Sequence, residues 1–93
     1  MFTYKVPLEQ VDKALNEHVD YLNTQYKLGN FQASGKKVPR TGGIILSTIS
    51  SKSKLLEVIE KDPFNRMQFA DYKITEFIAS KTCEELTFLK NND

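Results

Sequence analysis

One apolar stripe constrains this chain more than any other feature. Leu8, Val11, Leu15, Val19, Leu22 and Tyr26 recur at steps of three and four. That spacing marks one face of a helix about 20 residues long. Gly29-Asn30 closes it with the usual C-terminal chemistry. Such a helix needs an apolar surface to lie on, and the other segments supply it as strands. "FTYKV" at 2–6 favours an extended strand and stops at Pro7, a residue suited to the first helical turn. "FQAS" at 31–34 alternates into a short strand, and "GKKVPRTGG" at 35–43 follows as a long loop with three cations. "GIILSTI" at 43–49 is apolar and β-branched on nearly every residue, which predicts a strand covered on both faces. Ser50-Ser51 offer caps for a second helix with Leu55, Leu56, Val58 and Ile59 inward. It must end at or before Asp62, because Pro63 disfavours helical geometry in the residue ahead of it. A single turn at 63–69, a last strand "YKITEFIA" at 72–79 and a short helix "CEELTFLKN" complete the reading.

The order βαββαβ is that of a ferredoxin-like α+β fold, with a four-stranded antiparallel sheet and two helices on one face. The domain is expected over residues 1–81, with 82–93 as a C-terminal tail. Ile44, Ile45, Leu46 and Ile49, then Tyr72, Ile74, Phe77 and Ile78, supply apolar residues to both sides of the sheet. A chain of 93 residues has limited means of covering a second apolar face. A homodimer through the open sheet face is the expectation.

Charge and composition narrow the function classes. Thirteen Lys+Arg against twelve Asp+Glu leave a formal net charge of +1, and the basic residues form no stripe interleaved with aromatics. Nucleic-acid binding is not expected. The N-terminal residues do not read as a secretory signal, no window reaches membrane-spanning length, and the single Cys83 has no internal partner. A cytoplasmic protein is expected. No phosphate loop, nucleophile elbow, zinc-protease helix or dinucleotide fingerprint appears, so neither metal nor cofactor is anticipated.

The stripe carries one anomaly. His18, the only histidine, stands where a leucine would be expected. A buried leucine contributes roughly 1.5–3 kcal/mol. An imidazole gives up part of that and pays roughly 1–3 kcal/mol more if its nitrogens find no partner. Something polar must therefore meet the ring. Asp62, at the junction with the "DPF" turn, is the best candidate, since both helices share one sheet face. Each residue also has a plain explanation: a core histidine bonded to a backbone carbonyl, and an aspartate capping a turn ahead of proline. Nearby, Lys36, Lys37 and Arg40 could hold a substrate carboxylate or phenolate, Arg40 by two prongs, or form a solvated loop. Gly35, beside Ser34, either serves a turn with positive φ or leaves room for a ligand. Phe64 and Met67 read as core or as pocket wall, and the Tyr21 hydroxyl could reach the rim of a site.

The stretch "FQASGKKVPRTGGIIL", then "DPFNRMQFADYKITEF", with a histidine midway along the first helix, resembles the YciI-like (YCII-related) family over residues 1–81. The resemblance implies a dimeric α/β barrel and a catalytic His–Asp pair, carried here by His18 and Asp62. It also implies chemistry of the dehydrohalogenase or muconolactone-isomerase type. Against the family pattern, Gly35 is followed by Lys36 instead of a proline, which brings a cation nearer the pocket. The first strand is several residues short.

The leading expectation is a lyase or isomerase acting by proton abstraction or elimination on a small cyclic or aromatic acid. His18 is its base, Asp62 orients the ring, and Ser34, Gly35, Arg40 and Phe64 contact the substrate. The alternative is a non-catalytic homodimeric module that binds a small ligand or a protein, and a purely structural subunit is the third reading.

Overall fold

The computed structural model describes residues 1–90. Its elements are β1 (Phe2–Tyr4), α1 (Leu8–Lys13), α2 (Leu15–Lys27), β2 (Phe31–Lys36), β3 (Gly42–Ser47), α3 (Lys52–Glu60), α4 (Pro63–Arg66) and β4 (Ala70–Tyr72). A 3-10 helix follows over Glu84–Leu89, within the segment expected to end in a short helix. Residues 91–93 of the expected 82–93 tail, Asn91 of "CEELTFLKN" among them, lie outside the described residues. The four strands form one antiparallel sheet in the order β2-β3-β1-β4. This is the ferredoxin-like α+β arrangement that the element order predicts.

β1 is only three residues long, yet it is central, with Phe2 opposite both Gly43 and Tyr72. The glycine pair opening β3 makes this possible. A Cβ on Gly42 would lie 1.9 Å from the Phe2 carbonyl oxygen, and one on Gly43 would lie 2.5 Å from the Phe2 ring. Phe2 then packs with Val11, Ala14, Phe64 and Ala70 in one buried cluster. Tyr21, Phe31 and Val58 form a second.

The first helical stripe behaves differently from its pattern. It is two helices rather than one, because Ala14 (φ −101°, ψ 2°) breaks the run with a tighter turn. Its inward residues are Val11, Ala14, His18, Tyr21 and Gln25. Leu8, Val19 and Tyr26 are exposed, while Leu15, Val19 and Leu22 face a cavity. The apolar stripe is thus cavity wall as much as core. Past Leu28, the Gly29 N–H bonds the Tyr26 carbonyl and the Asn30 N–H bonds that of Gln25, with Gly29 at φ +77°.

Ser51 caps α3 by accepting the Lys54 N–H, and Val58 faces the core, but Leu56 points outward. β2 runs on through Gly35-Lys36, which pair with Ile44 and Gly43 inside the stretch expected to be loop. The last strand is shorter than "YKITEFIA" and lies at the sheet edge. Among the described residues only β1 pairs with it, and beyond Tyr72 the Lys73 N–H meets the Met1 carbonyl, leaving Ile74–Ile78 outside the strand. β3 is not covered on both faces by the described residues: Ile45 packs on both clusters, whereas Ile44 is 54% exposed.

Candidate functional site

His18 sits where the two buried clusters meet, with 5% of its surface exposed. Its ring lies flat on Phe64, centroids 4.0 Å apart, and meets Phe2 edge-on at 5.7 Å. The "DPF" corner delivers both things the ring requires. Asp62, entirely buried, hydrogen-bonds His18 Nδ1 through Oδ1 at 2.8 Å. The same oxygen accepts the Phe64 backbone N–H at 3.0 Å, which caps α4 ahead of Pro63. The two explanations for Asp62 in the sequence are therefore compatible, and one carboxylate oxygen serves both. Asp62 Oδ2 accepts the Tyr72 hydroxyl from β4.

This network fixes the chemistry of the imidazole. A carboxylate only accepts, so Nδ1 carries a proton, and in the neutral ring the lone pair is then on Nε2. Nε2 has no hydrogen-bond partner among the described residues. Burial pushes the Tyr72 hydroxyl well above its ordinary pKa, and the Asp62 charge and hydrogen bond push it further. Burial likewise raises Tyr21, with the Asp62 charge second. Both phenols stay protonated and donate.

His18 also lines a cavity of about 280 Å³ between α2 and the β2–β3 hairpin. Its apolar walls include Phe2, Leu15, Val19, Leu22 and Ile45, and its polar side carries Ser34, Lys36 and Arg40. Of the substrate contacts expected from sequence, Ser34, Gly35 and Arg40 share this cavity with His18. Phe64 is absent from its lining; it is fully buried beneath the imidazole. Ser34 shares a hydrogen bond of 2.6 Å with the Tyr26 hydroxyl. Gly35 is extended strand without positive φ, which removes the turn reading, and a Cβ there would meet nothing within 4 Å. Arg40 is held by Asp12 of α1, Nη2 to Oδ1 at 2.6 Å. Lys36 faces the cavity, whereas Lys37 reaches the Thr3 hydroxyl at 2.8 Å. The Tyr21 hydroxyl donates to the Val58 carbonyl at 2.8 Å and not to the rim.

Tyr72 is the site residue that sequence reasoning missed, counted there only as an apolar strand residue. The signal was available: a tyrosine on a buried strand face needs a partner for its hydroxyl. A second, larger depression of about 650 Å³, lined by Lys5, Glu60, Asn65, Asp71 and Tyr72 among others, holds no histidine. Among the described residues no group of three or more His, Cys, Asp or Glu side chains is placed to hold a metal. No helix there is long and apolar enough to cross a membrane.

No curated protein matches the chain, and neither does any solved structure. The YCII-related domain matches it over residues 1–78. With that match covering most of its length, the chain belongs to the YCII-related domain family.

Proposed function

We propose that the protein catalyses proton abstraction, leading to elimination or isomerisation, on a small cyclic or aromatic acid, with His18 as base. The observation that carries this reading is the buried His18–Asp62 pair on the wall of a cavity. Nε2 takes the proton from a carbon beside a carbonyl, and Asp62 stabilises the imidazolium that forms. The freed electron pair either expels a leaving group or is reprotonated at another carbon. The ligand class follows from the cavity. At about 280 Å³ it lies at the small end of ligand sites, room for one ring and not for a nucleotide. Apolar walls suit the ring, while Lys36 and Arg40 suit its carboxylate or phenolate.

The test is a thermal-shift screen of lactones, catechol derivatives and chlorinated hydroxyquinols, followed by a turnover assay on each hit. A ligand at 100 times its Kd stabilises by about 2.7 kcal/mol. The expected result is a hit whose turnover His18→Leu abolishes. Turnover surviving that substitution contradicts the reading.

The homodimer is part of the same proposal. Its support is apolar surface: Ile44 of β3, 54% exposed, and Phe77 and Ile78, 63% and 71% exposed, beyond the end of β4.

A further inference from the structure

We propose that Tyr72 is a positioning residue for His18, acting through Asp62. Its hydroxyl, donated to Asp62 Oδ2, favours the form of the pair in which the imidazole is neutral. The inference rests on the reading of His18 as the proton acceptor.

Asp62 is wholly buried and has three donors. Two, His18 Nδ1 and the Phe64 N–H, share Oδ1; Oδ2 receives the Tyr72 hydroxyl. When His18 is protonated, its charge compensates the buried carboxylate. When His18 is neutral, that charge is uncompensated, and a donor at Oδ2 matters most. The hydroxyl therefore stabilises the base form of the pair more than the acid form. Removing it makes His18 hold its proton more tightly.

The surroundings single out this hydroxyl. From α2, Tyr21 lies beside the imidazole, ring centroids 6.2 Å apart, but donates to the Val58 carbonyl of α3. From β1, Tyr4 packs on Phe64 at 5.8 Å. Lys36 and Arg40 approach from the cavity side, the latter paired with Asp12 of α1. Among the described residues, Tyr72 gives Asp62 its one hydroxyl donor. The ring is seated against Phe2 at 5.3 Å, in the register Phe2↔Tyr72 of β1 with β4.

Because His18 is the only histidine, its ring proton can be followed unambiguously in an NMR pH titration of the intact chain. Tyr72→Phe, which keeps the ring, should raise the titration midpoint by about 0.5–1 pH unit, the equivalent of one hydrogen bond. Tyr21→Phe should leave it in place. Ring fluorination at Tyr72 strengthens the donor at nearly constant size and should move the midpoint down. That arm stands even if Tyr72→Phe does not fold. An unchanged or lowered midpoint in Tyr72→Phe, an equal rise in Tyr21→Phe, or no downward shift on fluorination overturns the proposal. The titration needs no substrate. An empty ligand screen therefore counts against the catalytic reading alone, and an inert Tyr72 counts against this inference alone.

Discussion

Removing the Asp62 side chain orphans three donors at once: His18 Nδ1–H, the Phe64 backbone N–H and the Tyr72 hydroxyl. Replacing His18 with leucine instead leaves Asp62 two of its three donors and fills the volume beside Phe64. The two substitutions should therefore differ in cost. Asp62→Ala is expected to destabilise by about 3–5 kcal/mol, because each buried donor left unpaired costs about 1–3 kcal/mol and the α4 cap is among them. His18→Leu should cost distinctly less. Urea denaturation of both variants measures the difference, and equal losses would contradict this view of Asp62 as the hub. Much of this pairing was legible in the sequence: a ring nitrogen on an apolar helix face demands a polar partner, and Asp62 was the best placed to supply one. The place of Phe64 was not. Nothing in "DPF" says whether its ring faces a ligand or lies under the imidazole, since that depends on the angle between α2 and α4.

At the scale of elements, the glycine pair of β3 ties the sheet to the site. Phe2 crosses over Gly42-Gly43, lines the cavity and touches the imidazole edge-on. A methyl group at Gly42 meets backbone atoms of β1, which cannot swing aside. Gly42→Ala should cost about 1–3 kcal/mol or more, read as a lower melting temperature, and displace β1. An unaltered melting temperature would show that β1 does not depend on this contact. The sequence read the element order correctly because strand and helix periods are local properties. It read helix orientation and strand length less well because these depend on neighbours. Leu15, Val19 and Leu22 mark an apolar face without saying that a cavity lies beneath it. "YKITEFIA" has strand chemistry along its length, yet only its first residue, Tyr72, lies in β4, because β1 offers nothing further to pair with.

For the molecule as a whole, the question is what covers the apolar residues that the fold leaves outside. Ile44, Phe77, Ile78 and Phe88 are each more than half exposed in a chain of 10.7 kDa. Light scattering at micromolar concentration should return twice the chain mass, and Ile44→Lys should halve it; a wild-type monomer would contradict the dimer. The proposed chemistry turns on one nitrogen, Nε2, in a ring that pairs with Asp62 through Nδ1 and lines the cavity. The most direct test is a long-range ¹H–¹⁵N correlation spectrum of the single imidazole, recorded at about pH 8, where a histidine is largely neutral. The expected spectrum is that of the tautomer protonated at Nδ1, with an unprotonated Nε2 whose signal moves when a ligand enters the cavity. A ring protonated at Nε2 would contradict it.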